Sequence, residues 1–429
     1  MKSTLLFILT FCTLGLAAQP GWTWEPLPDM PEAVANNAVV SAMSNDTMCV
    51  YSFAGIDETL EPQGIHLKTF KYNTLSQQWS QLADVPDSQG KIAAGASYVN
   101  GLIYVVGGYY VQDNFSETSS DDIHIFDPQT DSWLDDGAVI PVPIDDQVQV
   151  TWRDSLIYVV TGWSDNGNVN DVQIYDTYLD QWSAGTSTPN NSIYKAFGAS
   201  GEIVGDTIYY HGGVSGSFSF VANSRMRKGV INEDDPTQID WSQLDNSPGE
   251  PGYRSAAAVW NDRLFWIGGG GVAYNFDALA YNGSGVVAPV PRILTYYAGI
   301  DFWEDGFTTP EEVMDFRGIG KVDETSWILC GGIGPDQNVL TSTWLLTYDP
   351  SVGVGSAAFS ELEWVLVNDQ LAVNTSQTVD IQVYAATGEL LYQGKTRKGE
   401  PVDLSLFNGL LIVHLQTEGY LPEIIKVKR

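Results

Sequence analysis

Histidine is scarce: the 429 residues contain only His66, His124, His211 and His414, on four separate elements. Transition-metal sites draw most of their ligands from clustered imidazoles and thiolates, so this distribution speaks against a metal cofactor. Cysteine is scarcer still, at Cys12, Cys49 and Cys330. Cys12 lies in the N-terminal segment, while Cys49 and Cys330 sit in apolar strand-like runs, which suits inert buried thiols better than a disulfide framework. Basic residues are few, with 20 Lys and Arg against 53 Asp and Glu, a formal net charge of −33. Such a surface repels phosphate backbones, which argues against nucleic acid as a partner. The acidic excess itself reads as solubility outside the cell. The chain also lacks a Gly-x-Ser-x-Gly elbow and a phosphate loop. Gly268 to Gly271 is glycine-rich but ends a repeated strand, so a turn is expected there. Asp165 to Asp171 has the look of a calcium loop without the glutamate that closes one.

The N-terminus reads as a signal peptide over residues 1–18. Lys2 supplies the positive start, Leu5 to Leu16 the apolar stretch, and Leu16-Ala17-Ala18 the small-residue cleavage site. That stretch is too short to span a bilayer, and no later one is long enough, so no transmembrane segment is expected in the mature protein. What the chain does have is 42 glycines, 14 tryptophans and 21 tyrosines. These fit many short strands joined by tight turns around a large core.

An apolar run ending in glycine recurs. Leu102-Ile-Tyr-Val-Val-Gly-Gly108 is the clearest copy, followed by Thr207 to Gly213, Leu264 to Gly269 and Trp327 to Gly332. Leu156 to Gly162 and Cys49 to Gly55 keep only the last glycine. These final glycines fall at 55, 108, 162, 213, 269 and 332. A period slightly above ~50 residues, without helical patterning, is the period of a propeller. The runs are apolar at successive positions, as expected of strands buried on both faces.

A second signature follows each run. Ile123-His-Ile-Phe-Asp-Pro leads to Trp133, Val172-Gln-Ile-Tyr-Asp to Trp182, and Thr69-Phe-Lys-Tyr-Asn to Trp79. The order of apolar strand, Gly pair, loop, Tyr-Asp strand and Trp strand resembles the kelch repeat over about residues 22–350. The resemblance implies an all-β, six-bladed propeller over residues 19–350. Trp24-Glu-Pro-Leu-Pro-Asp-Met-Pro31 has the pattern of the outer strands at Trp79 and Trp241 but precedes the first Gly pair, whereas the last repeat lacks such a strand. The N-terminal strand is therefore expected to complete the sixth blade and remove the ring's open edges. The fifth repeat departs from the pattern, with Ala280-Tyr-Asn leading to Val286-Val287 and no Trp. Some secreted kelch proteins resemble galactose oxidase, whose copper site needs two histidines and a Cys-linked tyrosine near the axis. No such set is present, and no cofactor is expected.

Residues 351–360 read as a small-residue linker. Beyond it, residues 361–429 hold nine of the acidic and six of the basic residues, so most of the negative charge belongs to the propeller. Val379 to Tyr384, a turn at Thr387-Gly388, Val402-Asp-Leu-Ser-Leu-Phe-Asn-Gly-Leu410 and the basic end Lys426-Val-Lys-Arg429 resemble the type A sorting domain of the type IX secretion system of Bacteroidetes. Val367-Asn368-Asp369 stands where that family has Pro-Asn-Pro. The resemblance implies a small C-terminal β-sandwich that engages secretion machinery. It places the protein outside the cell, released or held at the outer surface.

The candidate site is the axial rim, formed by the loops after the Gly pairs and those entering the inner strands. Counting 15 back from three of the final glycines reaches Gln147, Arg254 and Arg317; Lys91 and Lys195 lie slightly earlier in their repeats. The preceding loops add Asp145, Asp146, Tyr194, Tyr253 and Phe316, and the loops after the glycines add Tyr109, Tyr110 and Trp163. In the families resembled, arginines at that position line the ligand pocket. Guanidinium forks, carboxylates and aromatic faces together suit a glycan or an acidic peptide. Alternatively, Arg254 and Arg317 pair with neighbouring acids to bridge adjacent blades. The expected function is a non-catalytic propeller binding a glycan or protein. One alternative is a carbohydrate enzyme of the kelch sialic-acid mutarotase type, using Asp145, Asp146 or Glu250 beside Arg254. Another is a structural envelope component. A deep pocket holding a carboxyl of raised proton affinity favours the enzyme, and an aromatic rim favours binding.

Overall fold

The computed structural model describes residues 21–165, 167–216, 220–349, 364–367, 369–375, 377–416 and 423–428. The expected leader and linker lie outside the described residues. Strands dominate throughout, and the two helical pieces among the described residues are single 3-10 turns at Pro62–Gly64 and Pro335–Gln337.

Between Trp22 and Tyr348 the strands form six sheets of four or five strands. The second is typical: Gly95–Val99, Leu102–Val106, Ile123–Asp127 and Ser132–Trp133 run antiparallel from inner to outer. The inner strands Ala38–Ser44, Gly95–Val99, Val148–Trp152, Phe197–Val204 and Ala256–Trp260 lie successively side by side. Arg317–Gly318 returns to pair in parallel with Ala38 and Val39, which closes the circle.

Side-chain alternation explains why the second strand of each sheet is mostly apolar. In Leu102–Val106, Ile103 and Val105 pack with Tyr51 and Phe53 of the first sheet, while Tyr104 and Val106 pack with Ile157 and Val159 of the third. Both faces are interior, so these strands are mostly apolar, and the polar residues they do hold, such as Ser52 and His211, are buried with a hydrogen-bond partner. The Gly pair that ends these strands has an equally local cause. Gly107 and Gly108 have φ of +65° and +95°, and a Cβ on Gly107 would collide with the Ile144 carbonyl. The loop entering the next inner strand crosses there, and only glycine admits it without strain.

The outer-strand tryptophans lock neighbouring repeats together. Trp79, Trp133, Trp182, Trp241 and Trp303 donate their indole N–H to the carbonyls of Pro28, Ala83, Ala138, Thr186 and Asp245, at 2.7–3.2 Å. Each acceptor follows the outer strand of the preceding repeat. Trp303 corrects the expectation for the fifth repeat. Its third and fourth strands are Ile293–Tyr297 and Phe302–Phe307, and Ala280-Tyr281-Asn282 belongs to a long inserted loop that follows the Gly pair. The repeat keeps its Tyr and Trp, displaced by that insertion.

The sixth sheet is completed by the first strand of the chain, with Trp22–Leu27 paired against Thr343–Tyr348 in a six-residue antiparallel register. Trp22 is fully buried among Phe265, Trp327 and Tyr348. Cys49 and Cys330 are both buried and unbridged, and burial pushes the Cys330 thiol up to about 12.

Residues 364–428 form two further sheets on a core of their own. Trp364–Val367, Gln370–Val373 and Val402–Asp403 make one, and Leu390–Thr396, Val379–Ala385, Leu410–Gln416 and Glu423–Lys428 the other. Val379, Ile381 and Val383 point inward while Asp380 between them is exposed, the period-2 pattern of a sheet with one wet face. This body touches the fifth sheet through Val365, Val367 and Ala372 on Tyr297 and Ile300.

Beside that contact, Glu304 is buried and accepts a 2.7 Å hydrogen bond from the Tyr297 hydroxyl. Burial pushes its carboxyl from the ordinary 4.5 up to about 7, against the pull of the Tyr297 hydrogen bond and Arg263. The folded state therefore holds this proton more tightly than the unfolded chain. Its stabilisation is complete below the unfolded value and is lost as pH rises through about 7. Glu304→Gln should remove that loss. The variant is expected to gain on the wild type by up to about 3 kcal/mol between pH 5 and 8.5 in guanidinium unfolding. A difference independent of pH would show that Glu304 stays ionised.

Candidate functional site

The end of the ring carrying the loops after the Gly pairs is organised by a repeated backbone kink. At or just before the start of each inner strand one residue takes the left-handed conformation: Asn36, Ala93, Asp146, Gly198, Arg254 and Asp315, with φ of 48–71°. They are linked around the axis. Asn36 N–H donates to the Asp315 carbonyl, Asp146 to Ala93, Gly198 to Asp146, and Arg254 to Gly198, at 2.8–3.3 Å. Between Asn36 and Ala93 the link is the Asn36 side chain, which accepts from the Ala93 N–H. This conformation is unfavourable for most L-residues and tolerated best by Asn, Asp and Gly, which hold four of the six places.

Arg254 lies across this circle, buried. Its Nε and Nη2 donate to the two Asp146 carboxylate oxygens at 3.0 and 2.6 Å, and its Nη1 donates to Asp315 at 3.0 Å. The rings of Tyr253 and Tyr274 lie 5.2 and 5.5 Å from the guanidinium. Burial opposes its charge, but Asp146, Tyr253 and Asp315 outweigh that and hold its proton more firmly than usual. Arg317 sits beneath, with Nη1 3.5 Å from Asp146 and Nη2 donating to the Gln147 carbonyl at 2.8 Å. Both arginines therefore bridge repeats through acids, the second of the two roles open to them from sequence.

This layer separates two spaces. Below it a polar channel of about 330 Å3 follows the axis, lined by inner-strand residues including Gln147, Gln149, Ser200, Glu202, Arg317 and Lys321. Above it lies a cavity of about 210 Å3 lined by Tyr109, Glu117, Asp145, Asp146, Trp163, Phe197, Phe220, Arg254 and Tyr281. Its residues come from the second to fifth repeats. Trp163, Phe197 and Phe220 meet edge to face with centroids 5.3–5.6 Å apart, and Phe220 lies 4.7 Å from Tyr281. Phe115 and Phe276 stack at 6.4 Å, joining the loops of the second and fifth repeats.

Asp145 is buried in this cavity. Ser119 Oγ donates to its Oδ2 at 2.5 Å. Burial and the adjacent Asp146 push its carboxyl well above the usual range. Glu117 is exposed at the mouth; partial desolvation raises its carboxyl in the same direction, against the opposing charge of Arg254. The cavity can thus stack on an apolar face and accept or donate hydrogen bonds through carboxyls.

Of the sequence-derived candidates, Arg254, Asp145, Asp146, Tyr109 and Trp163 come together here. Tyr253 supports Phe197 from behind, edge to face at 5.9 Å. Gln147, Arg317 and Phe316 belong to the channel below. Lys91 and Tyr110 lie elsewhere, between the first and second sheets. Lys91 Nζ is 2.9 Å from Asp87, and the Tyr110 hydroxyl donates to Asp87 and Asp122. Counting 15 back from Gly108 reaches Ala93, the kink itself, and Lys91, a basic residue slightly earlier in its repeat, falls two residues before it. Lys195 is half-buried and, like Glu250, lines neither space; the Tyr194 carbonyl accepts from Tyr210.

Asp87, Asp122 and His124 bring ligand atoms within 4.8 Å of one another, a grouping invisible from histidine spacing. Burial pushes Asp87 up, but His124, Lys91 and Tyr110 outweigh it and keep it ionised. The Lys91 ammonium already supplies the positive charge there. Gly268 and Gly269 form the expected turn, and Asp165 hydrogen-bonds Ser119 of the neighbouring loop through backbone and side chain. Glu117, Phe197, Phe220 and Tyr281 were missed by the sequence reading; an aromatic search through the loops on this face would have found the last three.

Comparison with known proteins gives one family profile, the KLHDC2/KLHL20/DRC7 Kelch-repeats domain, over residues 40–270. Among curated relatives, Kelch-like protein 36 of Bos taurus is 22% identical over 194 residues, 45% of this chain and 29% of that protein. Kelch-like protein 23 of Pongo abelii is 31% identical over 173 residues, 39% and 27% respectively. The chain matches less than a third of the length of these relatives. Among solved structures, that of YjhT superposes with a TM-score of 0.60 at 17% identity, covering 76% of this chain and 98% of the other, a likeness of fold.

Proposed function

The chain belongs to the KLHDC2/KLHL20/DRC7 Kelch-repeats domain family, and from that premise we propose that it is a six-bladed propeller that binds a partner through the cavity above the Arg254 layer. The observation that carries this reading is the convergence of loops from four repeats on one ring-walled cavity at the axis. At about 210 Å3 it is smaller than the ~300–1,000 Å3 of drug-sized sites. That size suits one sugar ring or one side chain of a larger glycan or protein, with the surrounding loops touching the rest. Because Arg254 spends its donors on Asp146 and Asp315, an acidic peptide is a poorer fit than a neutral or basic group.

A second reading is favoured by Asp145. A buried carboxyl with raised proton affinity beside an aromatic wall is what a carbohydrate enzyme of the sialic-acid mutarotase type would use as a general acid. The C-terminal body is read as a β-sandwich sorting domain that engages type IX-like secretion machinery, with the leader at 1–18 starting export. The propeller would then act outside the cell or on its outer surface. Support for this comes from the segments quoted above.

Glycan and peptide arrays probed with the full chain test the site. Trp163→Ala and Phe220→Ala are each expected to weaken a hit by about 5- to 30-fold with folding intact. A hit that ignores both changes places binding elsewhere. Chemical conversion of the hit that Asp145→Asn abolishes would move the assignment from binding to catalysis.

A further inference from the structure

The charges around the cavity do not balance locally. Two cations, Arg254 and Arg317, face four carboxyls: Asp146, Asp315, Asp145 and Glu117. Arg254 commits three of its five N–H donors, and its charge, to Asp146 and Asp315. Arg317 leans on Asp146 and on the Gln147 carbonyl from below. Asp145 and Glu117 are left facing the cavity with no cation of their own among the described residues. Asp145 is 4% exposed, and Ser119 reaches its Oδ2, while no donor among the described residues reaches Oδ1. Opposite these carboxyls stand the faces and edges of Trp163, Phe197, Phe220 and Tyr281. A buried carboxyl without a partner is costly, and aromatic faces attract positive charge.

From this pairing of uncompensated carboxyls with an aromatic wall, we infer that the cavity receives an organic ammonium group. The rings cover its methyl or methylene groups, and Asp145 and Glu117 face its charge. The ammonium supplies the countercharge that lets Asp145 release the proton it holds in the free cavity, which Arg254, tied down beneath, does not. The same reasoning discriminates against a carboxylate or phosphate, which would meet two acids and an arginine whose charge is already shared by Asp146 and Asp315. This inference rests on the cavity being the ligand site, and it narrows the ligand to a group carrying a cationic nitrogen, whether a lysine-type side chain or a small molecule.

The test uses choline and its uncharged carbon isostere, 3,3-dimethyl-1-butanol, titrated into the full chain by calorimetry and by tryptophan fluorescence. Choline is expected to bind at least about tenfold tighter than the isostere. Asp145→Asn and Phe220→Ala should each lower choline affinity by about tenfold or more, with the unfolding midpoint tracking whether either variant is misfolded. Nε-trimethyl-lysine amide against Nε-acetyl-lysine amide asks whether a side-chain source is accepted as well. Equal binding of choline and the isostere, or choline binding untouched by Asp145→Asn, overturns the ammonium assignment. If choline fails while an array hit still depends on Trp163 and Phe220, the ammonium inference falls and the cavity stands. If no ligand depends on those two residues, both fall.

Discussion

Arg254→Ala is expected to cost about 3–5 kcal/mol of unfolding free energy, read as a lowered guanidinium midpoint. The reason is what the change leaves behind. Asp146 and Asp315 are buried; Asp146 takes two hydrogen bonds from this guanidinium, and Asp315 takes one from it beside a longer one, 3.3 Å, from the Asn36 side-chain amide. Truncation leaves two acids in the interior with Arg317 near Asp146 and the Asn36 amide on Asp315. Arg254→Lys should recover little, because one ammonium cannot supply a fork to Asp146 and a third donor to Asp315 together. The left-handed φ of 50° at Arg254 adds a local cost that neither replacement relieves. A variant with wild-type stability would mean that the acids are protonated or hydrated, and that the layer does not hold the repeats together. The same argument makes Arg254→Ala a poor probe of binding, since it disturbs the frame beneath the cavity.

The second large effect concerns closure. Trp22→Ala is expected to cost about 3–5 kcal/mol, the usual range for removing a fully buried tryptophan. Deleting residues 22–27 should do more. It exposes the hydrogen-bonding edge of Thr343–Tyr348 and uncovers Trp327 and Tyr348. An unpaired, apolar edge recruits other chains, so the deletion should elute as oligomers or aggregate at concentrations where the wild type does not. A monomeric deletion variant with an unchanged midpoint would show that the ring is held by its inner strands alone.

How much of this was legible in the chain depends on periodicity. The strand and Gly-pair rhythm could be read because each feature has a local cause that repeats: burial on both faces, and a loop crossing at the glycines. The closing strand could be read because Trp24 and Trp79 share a pattern. The fifth repeat misled because its inserted loop carries Ala280-Tyr281-Asn282, an imitation of the Tyr-Asp signature, ahead of the true strand at Ile293–Tyr297. Of the site, the residues at or beside the backbone kink were within reach, as were Tyr109 and Trp163 just after the glycines. Lys91, slightly before the kink, and Tyr110, second after the glycines, stand next to these positions, yet their side chains turn to Asp87 instead. Nothing local marks Glu117, which a loop of the second repeat brings to the cavity, whereas Phe220 is marked only as an aromatic in a loop on this face. The pairing of Arg254 with two acids more than 60 residues away was likewise a tertiary fact.

The most direct measurement compares the two ends of the axis. Binding of the strongest array ligand is measured for the full chain, for the double variant Trp163→Ala/Phe220→Ala in the upper cavity, and for Glu202→Gln/Lys321→Ala in the channel below. Loss of binding in the first pair and retention in the second is the predicted result. Retention in the first and loss in the second would place the site at the opposite end and contradict the account.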